Sequence, residues 1–246
     1  MTINKTKKKG GGKNLMRDII AQWNDAAKKY TEDQEQSEYV ASNKAVVQKR
    51  FYNLKNKKVL DLGCGYGFYT NYFKSIGANV IGVDASKAML ALANQRYPNC
   101  DFRMVDMTKT LNFSDESFDM IFCNQVLMDI DDIELVFREC KRLLKPGGIF
   151  YYSIVHPAFY DGCWLKNKDG YAYAKFLEKY ISVYELTNEF WGKTAHFHRP
   201  LSYYLNVASD VGLVLVHVEE PITYDGKSKN KDLPLFFFAE YKKMDI

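Results

Sequence analysis

Near its amino end the chain has two segments in which apolar residues recur at helical spacing. The apolar positions of the first segment are Leu15, Ile19, Trp23, Ala26, Ala27 and Tyr30. The second segment runs from about residue 35 to residue 51. Because apolar residues three or four positions apart share one face of a helix, we expect two amphipathic helices that cover the rest of the fold.

After the charged segment 55–58 the pattern changes to short apolar runs separated by helical segments. The apolar runs are 59–62, 79–83, 102–105, 118–123 and 148–155. The helical segments between them are 66–76, 86–96 and 133–144. Short apolar runs that alternate with helices are typical of parallel strands buried on both faces. We therefore expect a parallel sheet wrapped by helices.

Segment 156–200 breaks this alternation, since it is far richer in aromatic residues than the chain as a whole. We interpret it as an inserted cap. Pro200 then opens a helix that Gly212 ends, and two further apolar strands follow at 213–218 and 235–241. The polar linker 225–232 between those strands is expected to be mobile.

The net charge of +4 comes from the amino-terminal tail. Residues 1–13 hold five lysines and no acidic residue, which leaves 29 basic and 30 acidic side chains in the rest of the chain. Nucleic-acid-binding domains usually carry a basic face within the folded part. The electrically neutral body therefore disfavours a nucleic-acid partner.

Cysteine usage and hydropathy indicate a cytoplasmic protein. The five cysteines are odd in number and form no CxxC pair, which argues against a zinc site or a secreted disulfide framework. No apolar run approaches the roughly eighteen residues that a membrane span requires. The amino-terminal lysines are not followed by the apolar stretch of a secretory signal.

The most informative stretch is VLDLGCGYG at 59–67, where a strand runs into a glycine-rich turn and then a helix. Glycines let a ligand approach the backbone, and a helix start offers free N–H groups. Asp84 ends the next apolar run, 21 residues after Gly63. An acidic residue at that distance suits hydrogen bonds to ribose hydroxyls, so we expect a nucleoside ligand.

The charge pattern distinguishes between nucleosides. A dinucleotide site needs a third glycine at position 68, where this chain has Phe68. Asp61, at the end of the first strand, would repel a pyrophosphate but attract an amino group or a sulfonium. The pattern therefore disfavours a nicotinamide dehydrogenase and favours a cationic cofactor.

With these residues the sequence resembles the class I S-adenosylmethionine-dependent methyltransferases, especially the branch that contains the ubiquinone and menaquinone biosynthesis enzymes. The motifs that carry the resemblance are VLDLGCGYG at 59–67, VIGVDAS at 80–86, MVDM at 104–107, FDMIFCN at 118–124 and LLKPGG at 143–148. It covers residues 57–155 closely and the last two strands more loosely. It implies an α/β Rossmann-like three-layer sandwich with a seven-stranded, mostly parallel sheet whose last strand is antiparallel.

The resemblance also implies which residues hold S-adenosyl-L-methionine, whose product is S-adenosyl-L-homocysteine. The implied cofactor-binding residues are Tyr30, Asp61, Gly63, Cys64, Gly65, Gly67, Asp84, Ala85, Asp106, Met107, Asn124 and Gln125. Asp61 and the glycine turn would line the methionine end, Asp84 the ribose, and Asp106 with Met107 the adenine. Asn124, Gln125 and Tyr30 would close over the amino-acid part. The alternative is structural: glycines for packing, Asp84 and Asp106 as caps, and Tyr30 in the core.

Together these patterns divide the chain into five parts. They are a flexible basic tail (1–13), a helical cover (14–55), a cofactor-binding core (56–155), a cap over the substrate site (156–199), and a last helix with two strands that complete the core (200–246).

Methyl transfer needs alignment and a dry pocket, and a base only where the acceptor must lose a proton. His156, at the carboxyl end of the fifth strand, and His198, in a His-Arg-Pro motif that resembles one in some relatives, are the predicted catalytic residues. Substrate orientation and core packing are the alternatives for both. His196 and His198 alternate on one strand face, but with no third ligand evident we expect no metal.

Aromatic residues of the cap suggest a small, partly apolar or aromatic acceptor. They are Phe159, Tyr160, Trp164, Tyr173, Trp191 and Phe197, which could surround a sulfonium or the acceptor, or else form the cap's own core or a dimer surface. We expect a monomer or homodimer that methylates a small molecule at oxygen, nitrogen or carbon. The alternatives are an RNA methyltransferase that uses the basic tail and a non-catalytic module that binds S-adenosylmethionine.

Overall fold

The computed structural model describes residues 18–160, 164–169, 172–222 and 233–244. The strands are β1 (Lys58–Leu62), β2 (Asn79–Asp84), β3 (Asp101–Met104), β4 (Phe118–Asn124), β5 (Leu144–Val155), β6 (Trp164–Lys166), β7 (Ala172–Lys175), β8 (Tyr184–Asn188), β9 (Thr194–His198), β10 (Leu213–Glu219) and β11 (Phe236–Lys243). The helices are α1 (Ile19–Gln36), α2 (Glu38–Arg50), α3 (Phe68–Ser75), α4 (Lys87–Arg96), α5 (Glu134–Leu143), α6 (Pro157–Tyr160) and α7 (Leu201–Asp210). A 3-10 turn at Leu127–Asp129 follows β4. The predicted tail 1–13 and linker 225–232 lie outside the described residues.

Seven strands form one sheet in the order β10-β11-β5-β4-β1-β2-β3. Strands β1 to β5 pair in parallel, and β11 is antiparallel to both β5 and β10. This topology confirms the predicted mostly parallel sheet with an antiparallel last strand. The chain order reverses between β1 and β4, so the carboxyl ends of these strands border a crevice of the kind in which ligands bind.

The fifth strand begins earlier than its apolar run predicts. Leu144 already pairs with Phe118, and the register shifts before Met120 pairs with Ile149. Gly147 lies in this irregular stretch with a φ of 73°. Pro146 and Gly147 of the LLKPGG motif therefore lie inside the first residues of β5 rather than before the strand.

Both faces of the sheet are buried because successive side chains of a strand point to opposite faces. On one face Leu60 and Ile121 pack with Phe137 of α5 and Tyr204 of α7. The other face has its own core cluster, with members from the strands, α2 and α3. That cluster includes Val47, Val59, Phe73, Met120, Phe122 and Tyr151. Burial on both faces explains why the central strands are continuous apolar runs.

Helix α1 is tied to the sheet layer through the start of α4. The side-chain carbonyl of Asn24 accepts hydrogen bonds from Ser86 Oγ (2.8 Å) and from the Ala88 N–H (3.0 Å). Ser86 Oγ in turn accepts from the Met89 N–H. These bonds occupy N–H groups that a helix start leaves without partners. They fix α1 over the carboxyl end of β2.

The cap contains two small antiparallel pairs, β6–β7 and β8–β9, outside the main sheet. The second pair packs on α1, where the Ala195 N–H donates to Gln22 Oε1 (2.8 Å) and the Trp191 indole N–H donates to Asp33 Oδ2 (3.0 Å). The described part of the cap therefore extends the amino-terminal cover. In the part of the chain that the structure describes, no helix is long and apolar enough to cross a membrane.

Candidate active site

A cavity of about 160 Å³ lies beyond the carboxyl ends of β1 and β4, under α1 and α2. Seven of the predicted cofactor residues line it, namely Tyr30, Asp61, Gly63, Cys64, Gly65, Asn124 and Gln125. Drug-sized ligands usually occupy roughly 300–1,000 Å³. The cavity therefore has room for only part of a nucleoside cofactor.

The glycine turn that borders the cavity is shaped by packing at two positions and open at a third. Gly63, Gly65 and Gly67 all have positive φ, at 78°, 52° and 85°. A Cβ atom at Gly63 would lie 2.5 Å from Val126, and one at Gly67 would lie 2.5 Å from Phe102. A Cβ at Gly65 would meet nothing within 4 Å. Gly65 is therefore the position where the backbone faces free space that a ligand can enter.

Asp84 connects the glycine turn to the start of α4. Its Oδ2 accepts from the Gly65 N–H (2.9 Å) and its Oδ1 from the Ser86 N–H (2.8 Å). Burial raises the pKa of this carboxyl. Each carboxylate oxygen can accept a second hydrogen bond. Asp84 thus accepts from the N–H of Ser86, the residue that caps α4 with its own hydroxyl, and its oxygens retain the capacity to accept from ribose hydroxyls.

Asp61 brings a buried carboxyl to the floor of the cavity. Only 2% of the residue is exposed, and Thr70 Oγ1 donates to its Oδ2 at 2.6 Å. Burial raises the pKa of Asp61 to about 7, against the effect of the Thr70 hydrogen bond. A ligand cation beside it would restore the usual ionised state. The site therefore favours a positively charged group.

Asn124 and Gln125 are held in a bent conformation at the end of β4. Ser153 Oγ donates to Asn124 Oδ1 (2.6 Å) and accepts from Gln125 Nε2 (3.0 Å). Gln125 has a φ of 58°, a region that side chains other than glycine rarely adopt. Strained conformations of this kind cluster at ligand sites, and this one turns the chain along the cavity wall.

The predicted adenine contacts lie outside this cavity. Asp106 accepts from the Thr108 N–H and hydroxyl and pairs with Lys109 at 2.9 Å. Partial burial acts to raise the pKa of Asp106, but the bonds from Thr108 and Lys109 lower it overall. Met107 is buried, with its Cε 3.2 Å from where a Cβ of Gly63 would stand. Ala85 is half-buried beside Asp84.

The aromatic walls of the cavity come from α1, the glycine turn, α3 and the start of β11 rather than from the cap. Trp23, Tyr30, Tyr66, Phe68 and Tyr69 line the cavity. Of the six cap aromatics, the side chain of Tyr160 lies outside the described residues and the other five do not line the cavity. Trp191 braces Tyr30 from behind, with ring centroids 4.8 Å apart.

Neither predicted catalytic histidine lines the cavity. His156 Nδ1 accepts from the Ala158 N–H (3.2 Å), so Nε2 carries the proton and donates to Glu220 Oε1 (2.7 Å). Burial lowers the pKa of His156, against the effect of Glu220. His198 Nε2 donates to the Tyr180 carbonyl (2.9 Å), and its ring stacks on Tyr184 at 4.5 Å. This placement favours the packing alternative for both.

The core of the chain is similar to known methyltransferases. Residues 60–152 match the family model described as a methyltransferase domain. A ubiquinone biosynthesis O-methyltransferase of Pseudomonas fluorescens is 32% identical over 133 residues, which are 52% of this chain and 53% of that protein. The chain thus matches about half the length of the curated relatives it resembles.

Solved structures extend the likeness to the whole fold. An S-adenosylmethionine-dependent methyltransferase from Mesorhizobium loti superposes with a TM-score of 0.72 at 23% identity, covering 85% of this chain and 99% of that one. Residues 60–152 of the chain are a methyltransferase domain. A putative S-adenosylmethionine-dependent methyltransferase from Listeria monocytogenes gives 0.73 at 22% identity, covering 83% and 99%. At these identities the two structures show the fold of the methyltransferase domain.

Sequence reasoning missed two charged residues that line the cavity of the methyltransferase domain. Lys44 of α2 lies with its Nζ 4.0 Å from the Phe68 ring centroid, and burial lowers its pKa. Asp129, in the turn after β4, is 6% exposed, and burial raises its pKa well above the usual value. Asp129 lies in a segment rich in acidic residues, which in a sequence resembles solvated surface, and Lys44 lies among the polar positions of an amphipathic helix. Among the described residues, no three metal-binding side chains are grouped together.

Proposed function

We propose that the methyltransferase domain is catalytically active and transfers a methyl group from S-adenosylmethionine to a small, partly apolar or aromatic molecule. The observation that carries the proposal is the pairing of an open backbone at Gly65 with the buried carboxyl of Asp61, to which Thr70 alone among the described residues donates hydrogen bonds. A carboxyl buried in this way is costly unless a ligand cation joins it. A sulfonium nucleoside with an amino group supplies that cation.

The remaining groups of the cavity fit the parts of this cofactor. Lys44 is the cation that would meet the cofactor's carboxylate, because it lines the cavity and forms no ion pair with a described residue. Asp84 would accept from the ribose hydroxyls and Asp106 with Met107 would border the adenine. Tyr30 and Trp23 would lie against the sulfonium end, where a well-placed ring contributes about 0.5–2 kcal/mol. When bound, the cofactor supplies an electrophilic methyl group.

Catalysis in this proposal rests on alignment and on exclusion of water. Holding two reactants in line contributes about 7–11 kcal/mol to lowering a barrier. The aromatic walls on α1 and α3 and the rigid turn at Gln125 would provide that alignment. No metal is needed for such a displacement.

The nature of the acceptor follows from the walls and from the relatives. Trp23, Phe68 and Phe236 offer apolar surface in the cavity. The curated relatives, which this chain matches over about half of their length, are named for O-methylation in ubiquinone biosynthesis. A hydroxylated aromatic molecule is therefore the first acceptor class to test. The alternatives of an RNA substrate and of a non-catalytic binding module are outcomes of the same test. A cytoplasmic monomer or homodimer stays a prediction.

The test has a binding arm and a turnover arm. Calorimetry should show that the protein binds S-adenosylmethionine and S-adenosylhomocysteine, and that Asp84→Ala weakens both by about 1.5–3 kcal/mol through loss of a charged hydrogen-bond acceptor. A panel of phenols, amines and a short RNA should then be scored by release of S-adenosylhomocysteine. Absence of nucleoside binding contradicts the proposal. Binding without turnover on any acceptor supports the non-catalytic module instead.

A further inference from the structure

The strand order separates the cavity into a cofactor side and a second side. Asp61, Gly65 and Asp84 lie at the ends of β1 and β2, and Asp84 and Asp61 are engaged by hydrogen bonds from this chain. Asp129 follows β4, which lies on the other side of β1 from β2. A cofactor whose nucleoside lies across β1 and β2, and whose amino-acid part reaches Asn124 and Gln125, leaves the part of the cavity beside Asp129 to the acceptor.

Asp129 is a buried carboxyl for which the described residues supply no partner. It is 6% exposed and lines the cavity, yet among the described residues no side chain or N–H group forms a hydrogen bond or ion pair with its carboxyl. Such a group costs free energy in the empty protein. Because the carboxyl borders a cavity, a bound ligand can supply the partner that it lacks in the empty protein.

The turn that carries Asp129 is held rigidly. Nη2 of the buried Arg199 donates to the Ile130 carbonyl at 2.7 Å and also to the Asp131 carbonyl. The Asp129 N–H donates to the Val126 carbonyl at 2.8 Å. The carboxyl is therefore presented to the cavity from a fixed backbone, which a group that must meet a reacting atom requires.

The buried guanidinium of Arg199 is held on the carbonyls of this turn, and three further titratable groups around Asp129 are neutral at ordinary pH. They are the hydroxyls of Tyr30 on α1 and Tyr204 on α7 and the thiol of Cys123 on β4. Burial raises the pKa of all three above their usual values. Because no cation of the described residues pairs with its carboxyl, the charge state of Asp129 responds to the charge of whatever occupies the cavity.

We propose that Asp129 accepts the proton that the acceptor loses, so that the acceptor is a molecule whose attacking oxygen or nitrogen carries a proton. The proposal rests on the proposed methyltransferase function. The acceptor's attacking atom forms a bond to the methyl carbon while the carbon–sulfur bond breaks and leaves its electron pair on sulfur. The proton of the attacking atom passes to the Asp129 carboxylate.

Charge balance explains why a carboxyl suits this position. Before the step, a carboxylate and a sulfonium neutralise each other in a buried site. After it, the carboxyl is protonated and the sulfur is an uncharged thioether, so that no isolated charge is left behind. The charge of the two groups disappears together, which avoids the cost of an unpaired buried ion.

The deciding experiment compares the sulfonium cofactor with its uncharged product. Wild-type protein should bind S-adenosylmethionine with release of up to about one proton more than S-adenosylhomocysteine, measured at pH 7 by calorimetry in buffers of different ionisation enthalpy. Asp129→Asn should reduce this difference in protons. It should also lower the affinity for S-adenosylmethionine roughly tenfold relative to that for S-adenosylhomocysteine, since a buried partner charge is lost.

Controls separate this role from a structural one and from failure of the function. Asp131→Asn, an exposed neighbour in the same turn, should behave as wild type. Asp129→Asn should unfold at the same temperature or higher, because an amide is cheaper to bury than an unpaired carboxyl. If both nucleosides bind and Asp129→Asn changes neither the protons nor the preference, the inference is wrong and the function stands. Failure of wild-type protein to bind either nucleoside overturns both.

A turnover arm tests the acceptor class itself. Wild-type protein should release S-adenosylhomocysteine with members of a panel of phenols and primary amines, and not with matched aryl methyl ethers, thioethers and tertiary amines. On an active phenol, Asp129→Asn should lower kcat about 10²–10⁴-fold, as expected for loss of a general base. Turnover confined to thioethers or tertiary amines would overturn the inference.

Discussion

At the scale of single residues, the acids predicted to bind the cofactor differ because their surroundings differ. Asp106 has the Thr108 and Lys109 donors and a lowered pKa, whereas Asp61 has one hydroxyl donor and a raised one. Burial decides the difference, since the carboxylate form loses more hydration than one hydrogen bond restores. Asp61 thus destabilises the empty folded protein, and we expect it to contribute favourably when a cationic ligand binds beside it.

The pH dependence of stability tests this reading of Asp61. Its pKa of about 7 in the folded state exceeds that of an unfolded aspartate, so its contribution is most favourable below about pH 4 and is lost as the pH rises through about 7. Between these limits the free energy of unfolding of Asp61→Asn should rise relative to that of wild type by about 1.4 kcal/mol per pH unit, measured by urea unfolding from pH 5 to 8. The exposed Asp25→Asn should show no such trend. A constant difference between Asp61→Asn and wild type would contradict the raised pKa.

At the scale of elements, the helix α1 is the part of the cover that shapes the cavity. It carries Trp23 and Tyr30 into the cavity wall and is fixed by Asn24 on the start of α4. Glu35 near its end pairs with Arg96 at the end of α4. The position of the aromatic wall therefore depends on contacts between two helices rather than on the sheet.

Removing the Asn24 anchor should loosen this wall. Asn24→Ala leaves the Ala88 N–H and the Ser86 hydroxyl without their acceptor, which should cost about 1–2 kcal/mol of stability. Amide exchange in α1 should accelerate in hydrogen-exchange measurements, and affinity for S-adenosylhomocysteine should fall. Lys28→Ala, on the exposed side of the same helix, serves as the control. Unchanged protection of α1 would show that other contacts hold the helix.

The sequence predicts elements well where the signal is local. The apolar runs predict β1, β2 and β4 because burial on both faces leaves a continuous pattern, and the glycine turn predicts the open backbone at Gly65. Lys44 and Asp129 could not be predicted, since each is a polar position that reaches the cavity only through packing of distant elements. The cap aromatics mislead for the same reason, because Trp191 packs behind Tyr30 instead of entering the cavity.

At the scale of the whole molecule, the segment around His156 joins the sheet to the cap. The His156 N–H donates to the Leu235 carbonyl (2.8 Å) just before β11, and its carbonyl accepts from the Phe159 N–H (2.9 Å) in α6. The His156 ring forms a hydrogen bond with Glu220, which follows β10, and packs against the Phe159 ring with centroids 4.7 Å apart. The residue thus connects the ends of β5, β10 and β11 with the first turn of the cap.

This arrangement predicts that loss of His156 affects folding before it affects chemistry. His156→Ala removes a buried ring and leaves the Ala158 N–H without its acceptor, so the free energy of unfolding should fall by about 2–4 kcal/mol in denaturant titrations. Affinity for S-adenosylhomocysteine should change little, because neither ring nitrogen faces the cavity. On an active acceptor the loss of kcat should stay well below the roughly 10²–10⁴-fold expected for a general base. The exposed His217→Ala controls for loss of a histidine. Normal stability with a rate loss of that size would instead restore His156 as the base and remove Asp129 from that role.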